Sequence, residues 1–250
     1  MLLYKYRGNI GLDNKKFIES IDMICDNEIW CSRIRDLNDP TEASFSLVEF
    51  ERNLISTLKI FSFLKIKKYK QENIDNYKEA LKNQMKLYSN NIGVYSLSTV
   101  YDNELMWAHY GNSHRGFCIE YEFLDFKDFG IEHPDKYPKL NHMYKYSKVY
   151  YSDRIFYLSK INPDYDDIIK FLFYKSKAWS YEKEYRILTY PYGKFNYNEK
   201  CLKSITFGLN MIKEEKDFIF NKLRNKGIQF YQMKRRKNEF NFYREEVILD

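Results

Sequence analysis

The chain has little cysteine, no long apolar run and no repeat. Its four cysteines are Cys25, Cys31, Cys118 and Cys201. None forms a CxxC pair and no histidine lies at zinc-finger spacing from them, which argues against a structural zinc site and predicts no metal. Scattered cysteines predict a reducing compartment. No stretch approaches the ~20 apolar residues of a membrane helix. The opening MLLYKYRG lacks the apolar core of a signal peptide, so a cytoplasmic, membrane-free protein is expected. No low-complexity tract or linker divides the chain, which predicts one domain over residues 1–250.

What is present is a 250-residue chain, 44% hydrophobic and 30% charged, long enough to bury a substantial core. Aromatics reach 18%, with 24 Tyr and 19 Phe. With the many Lys, Ile and Asn this excess reads as an AT-rich coding bias, so single tyrosines carry little functional signal. The net charge of +6 favours approach of a phosphate-bearing ligand. By itself it does not define a nucleic-acid binder.

Residues 2–7 alternate as a strand. Asp13 is positioned to cap a helix to about Cys25 with Phe17, Ile18, Ile21 and Ile24 inward. Glu28 to Ser32 reads as a second strand. Arg35 to Pro40 reads as a loop, with Asp39 or Thr41 starting the next helix and Asn38-Asp39-Pro40 either a capping turn or a closure over a ligand. Few breakers separate Glu42 from Ser89, which predicts two helices broken near Lys67 to Asn73. Leu54, Leu58, Phe61 and Leu64 would form their buried stripe. Ile92 to Thr99 and Arg115 to Phe123 read as strands around a short helix, ELMWAHYG, capped by Asp102 or Asn103. Residues 124–143 read as a surface loop, and Lys145 to Tyr151 as a strand. Asn162-Pro163-Asp164 opens a helix expected to run through Lys177, with Ile168, Ile169, Leu172 and Phe173 inward. Pro191 to Asn198 is a turn region. A strand to Phe207, a helix from Ile212 to Lys226 closed by Gly227, a strand to Met233, the basic turn KRRKN and a strand from Phe240 to Leu249 complete the chain. The sum predicts an α+β fold: a mixed or antiparallel central sheet flanked by helices, with a helical insertion near residues 42–90.

Lys175 to Leu188, KSKAWSYEKEYRIL, concentrates chemistry. A strand period of two puts Glu184 and Arg186 on one face, joined by Glu182 if the strand starts early. Carboxylates that close repel. Either one acquires a raised pKa or Arg186 holds both ionised. The bland alternative is a solvated strand edge with cross-strand ion pairs. His109 and Tyr110, at a helix end, form a second candidate pair. There the alternative is a core Trp107 and Tyr110, with His109 bonded to a backbone carbonyl. The five-residue spacing of His109 and His114 disfavours a metal pair.

Four stretches together resemble the bacterial domain-of-unknown-function family 2971: LYKYR at 3–7, LNDPTEA at 37–43, SLS followed by LMWAHYGNSHRGFCIEY over 96–121, and KSKAWSYEKEYRI at 175–187. Thr41 stands where the family usually has Phe, and Tyr185 where it has Trp. The resemblance implies a fold relationship and a setting beside phage-defence or abortive-infection genes, hence a defence or toxin effector with a protein partner from such an operon.

A second resemblance is to the Arg-Ser-Glu class of ADP-ribosyltransferases. It is carried by Arg on the first strand, Ser on a middle strand and Glu-x-Glu before a late strand. It implies that Arg7 clamps a phosphate of NAD. Ser96 or Ser98 would bond the nicotinamide ribose, and Glu184 would stabilise the oxocarbenium ion as nicotinamide leaves. Glu182 would orient or deprotonate the acceptor. Trp107, Tyr110 or Tyr101 would stack on nicotinamide. Two rivals remain. One is a metal-independent ribonuclease or RNA-binding effector using His109, Glu184, Arg186 and the KRRK turn. The other is a non-enzymatic partner-binding module.

Overall fold

The computed structural model describes residues 1–8, 10–64, 71–123 and 145–247. The loop expected at 124–143 lies outside them, as do most of the helix break and the end of the last expected strand. The element order is β1 (Leu2–Arg7), α1 (Lys15–Cys25), β2 (Glu28–Arg33), β3 (Phe45–Ser46), α2 (Val48–Phe63), α3 (Gln71–Asn91), β4 (Gly93–Ser98), α4 (Glu104–His109), β5 (Phe117–Glu122), β6 (Lys145–Lys148) and β7 (Tyr150–Ser152). It continues with β8 (Phe156–Tyr157), α5 (Tyr165–Ile169), β9 (Tyr174–Ser176), β10 (Glu184–Thr189), β11 (Gly193–Asn196), β12 (Leu202–Phe207), α6 (Lys213–Leu223), β13 (Gln229–Arg235) and β14 (Phe242–Glu246).

This is the expected α+β class. Among the described residues a ten-stranded sheet runs β11-β2-β4-β1-β5-β12-β13-β14, with β10 added to β4 and β6 added to β10. Most ladders are antiparallel; β12 and β13, joined through α6, are parallel.

Side-chain alternation sorts the strands onto two faces. Leu3, Tyr95, Leu97, Tyr185 and Ile187 pack under α1 and α6, against Phe17, Ile21, Ile219 and Leu223. On the opposite face Tyr4, Tyr6 and Cys118 meet Met106 and Trp107 of α4. Val94 and Leu188 there meet the apolar faces of α2, α3 and α5. Counting by twos along β10 from Leu188 reaches Arg186 and Glu184; along β4 from Val94 it reaches Ser96 and Ser98. Their register pairs Glu184 with Ser98 and Arg186 with Ser96.

Several local expectations shift. Asn14, not Asp13, caps α1, its side chain accepting from the Lys16 backbone N–H. Asp39 caps a turn rather than a helix, accepting from both the backbone N–H and the hydroxyl of Thr41. The next helix starts only at Val48. Of its expected stripe Leu54 is buried and Leu58 half-buried, while Phe61 and Leu64 are exposed. The helix expected through Lys177 ends at Ile169, passes through a 3-10 turn and becomes the extended β9. The expected turn at 191–198 contains β11. Lys234 and Arg235 belong to β13, not to a turn.

Candidate functional site

The sheet forks beside β4. One edge of β4 pairs with β2 at Gly93 and Val94, and with β1 at Ser98 opposite Tyr4. Between those points lies a cleft of about 710 Å³. Its walls carry Lys5 and Arg7 from β1, Ser96 and Ser98 from β4, His109 and Tyr110 from the end of α4, and Lys175, Glu182 and Glu184 from the later part of the chain. Seven residues named from the sequence therefore meet in one place: Arg7, Ser96, Ser98, His109, Tyr110, Glu182 and Glu184.

The acidic wall is built around Arg186, whose side chain is 0% exposed. Its Nε and Nη2 donate to the two oxygens of Glu184 at 2.8 and 3.0 Å. Nη2 also reaches Glu42 Oε1 at 2.7 Å, and Nη1 the Leu172 carbonyl at 2.6 Å. Lys175 Nζ donates to Glu182 Oε2 at 2.6 Å and lies 3.5 Å from Glu184 and 3.4 Å from Glu42. The Tyr110 hydroxyl bonds the other oxygen of Glu182. With every group ionised, three carboxylates face two cations.

The two expected outcomes for the carboxylates are divided between them. Burial pushes the Glu184 carboxyl up, but Arg186 and then Lys175 outweigh it and hold it at about 2. Glu182 ends above the ordinary carboxylate range, because burial and the charge of Glu184 together exceed the pull of Lys175. Burial likewise lowers Lys175, and the three surrounding glutamates more than restore it.

Glu182 does not belong to the strand. It closes a 3-10 turn over Lys177–Glu182, and Lys183 at φ 43° swings the chain into β10. The Ser98 hydroxyl donates to the Glu182 carbonyl at 2.7 Å, so this serine sets the loop that carries the acid. Ser96 Oγ is buried beside Glu184 and helps to hold that carboxylate ionised.

On β1, the Arg7 guanidinium interacts with the Tyr95 hydroxyl, while its Nε is buried without a hydrogen bond among the described residues. Lys5 Nζ donates to the Ser96 carbonyl at 2.8 Å and stands 4.9 Å from the centre of the Tyr95 ring.

Two sequence candidates lie behind the cleft rather than on it. Trp107 is 0% exposed; its indole N–H donates to the Tyr101 carbonyl at 2.7 Å, and its ring meets Tyr6 edge-on and stacks on His114. It is core and is not placed to stack on a ligand. Arg186 holds glutamates rather than lining the cavity. The KRRK segment is also remote: Arg236 lines a separate hollow with Asp102 and Glu104. Sequence reasoning gave no role to Lys5, Lys175 or Glu42. Glu42 stood in LNDPTEA and Lys175 at the head of the chemical stretch, but nothing local showed that they would meet.

Fold and cleft together define a class: an α+β protein whose forked sheet opens a cleft lined by a cationic strand and a buried acid–base cluster. Residues 106–187 match the model of a family described as "Protein of unknown function (DUF2971)". The matched stretch is about a third of the chain and spans Tyr110, Lys175, Glu182, Glu184 and Arg186. No curated protein and no solved structure matches the chain. No helix among the described residues is long and apolar enough to cross a membrane.

Proposed function

We propose that the cleft binds NAD and that the protein is a cytoplasmic effector of the ADP-ribosyltransferase or NAD glycohydrolase type, acting in defence or as a toxin. The observation that carries this reading is that one cavity is lined both by a cationic wall, Lys5 and Arg7 of β1, and by the carboxylates of Glu182 and Glu184. A ligand that fits must be anionic at one end and develop positive charge at the other. A dinucleotide losing nicotinamide has this character. Its diphosphate meets the cationic wall, and its ribose C1′ becomes an oxocarbenium centre beside the carboxylates.

The opposed pKa shifts assign the roles. A pair of acids pushed apart by their surroundings divides into a fixed charge and a proton carrier. Glu184, pinned ionised by Arg186, stabilises the developing cation. Glu182, raised toward the working pH, takes the proton from the acceptor. The C1′–N bond breaks with its electron pair leaving on nicotinamide. The acceptor oxygen or nitrogen, or water, bonds C1′, and its proton passes to Glu182. A protein or nucleic acid is the acceptor class for transfer.

Release of nicotinamide from NAD tests this directly. The wild-type chain is expected to release it, and Glu182→Gln and Glu184→Gln to lower the rate by ~10²-fold or more with the circular dichroism spectrum unchanged. Intact NAD after incubation with the wild-type chain, in buffer and in lysate, rejects the reading. The exposed His109 on the cleft favours the RNA alternative. Chelator-resistant RNA cleavage lost in His109→Ala would select it. Neither activity in a folded chain would leave the partner-binding module.

A further inference from the structure

Lys5 takes no part in breaking or forming a bond in that chemistry, yet it occupies the mouth of the fork. The β4 edge reaches β2 at Val94 and β1 at Ser98, and the Ser96 carbonyl between them is met by the Lys5 ammonium instead of a strand N–H. A sheet edge left in this way exposes backbone groups that need a partner. Lys5 supplies one from the neighbouring strand. Two residues further along the same face, Arg7 keeps a buried Nε without a partner among the described residues. We propose that Lys5 is an anion latch: without ligand it closes the fork onto Ser96, and a diphosphate draws it off that carbonyl to stand with Arg7 against the ligand. The latch rests on reading the cleft as a site for a diphosphate-bearing ligand and is independent of the transfer step.

The surroundings make this exchange sensitive to pH. Burial, then the Arg7 charge, lowers the Lys5 amine to about 7. Glu184 of β10, Glu182 of the turn before it and Cys31 of β2 act the other way, and Asp36 lines the same cleft from the turn after β2. A bound diphosphate favours the charged amine, so binding above neutrality takes up a proton and weakens as pH rises.

Equilibrium binding of ADP-ribose, whose diphosphate diester keeps its charge across the range, tests the latch between pH 7.5 and 9.5. This window lies above the titration of an ordinary imidazole. Wild-type affinity is expected to fall at least ~10-fold across the window. Lys5→Gln should bind ~10-fold or more weakly at pH 7.5, the loss of one charge-assisted contact, and show no pH slope. Lys5→Arg should bind with little slope, because its charge persists. Wild-type slope in either variant overturns the proposal, as does absence of ADP-ribose binding to the wild-type chain. A Lys5-dependent slope without nicotinamide release keeps the latch and rejects the transferase. Nicotinamide release with unchanged binding in the Lys5 variants does the reverse.

Discussion

Arg186 shows how much one side chain organises here. Four hydrogen bonds fix its guanidinium with no exposed surface, and two glutamates from segments over 140 residues apart depend on it. Replacing such a group leaves its partners charged and buried, which typically costs 3–5 kcal/mol. Arg186→Leu is therefore expected to lower unfolding stability by about 3–5 kcal/mol in urea titration. Arg186→Lys should recover little, because an ammonium cannot make the paired contact to Glu184 while also reaching Glu42 and Leu172. A loss below about 1 kcal/mol for Arg186→Leu would mean that the cluster is not held as described. The sequence placed Glu184 and Arg186 on one strand face, since a period of two requires it. It could not add Glu42 or Lys175, whose contacts depend on how distant segments pack.

At the scale of elements, the fork depends on how closely β4 meets its neighbours. A Cβ at Gly93 would lie 2.4 Å from Thr189 Oγ1, 2.8 Å from Tyr192 Cα and 2.9 Å from Cys31 Cβ. Two of those contacts are with the strands on either side, so no single side chain can yield. Gly93→Ala is expected to destabilise the protein by about 1–3 kcal/mol, read from the shift of the urea midpoint, and to weaken ligand binding by moving β2 from β4. A midpoint equal to wild type would show that the fork is looser than the packing indicates. The segment after α5 teaches a related lesson. Its apolar spacing favours helix through Lys177, yet β9 is extended and pairs with β7. Extended backbone carries Lys175 to the three glutamates, and pairing with β7 overrides a helix preference worth tenths of a kcal/mol per residue.

For the whole molecule, the acidic wall lies on one sheet face between the apolar cluster under α2, α3 and α5 and the one under α4. Its ionisation is therefore linked to global stability. Glu184 titrates at about 2 in the folded chain against an ordinary 4.5. The unfolded chain thus binds more protons between those values, and stability rises with pH across that interval. Its contribution is fully present above about pH 4.5 and is lost as pH falls toward 2. Urea midpoints should hold level from pH 6 to about 4.5 and then fall toward pH 3 for the wild-type chain, and fall less steeply for Glu184→Gln. Equal slopes would remove Glu184 from the linkage.

By itself the sequence determined what local periodicity can encode: the α+β class, most strands, two long helices after Glu42, and the shared face of Glu184 and Arg186. The four motif stretches also sufficed to suggest the family. Tertiary structure alone decided that β4 forks between β1 and β2, that Lys5, Arg7, Glu182 and Glu184 line one cleft, and that Trp107 and Arg186 support the cleft from behind. The physical reason is range. Strand and helix patterns act over a few residues, whereas a buried charge is stabilised by whichever partners the packed chain delivers, here from positions 42, 110, 175 and 186.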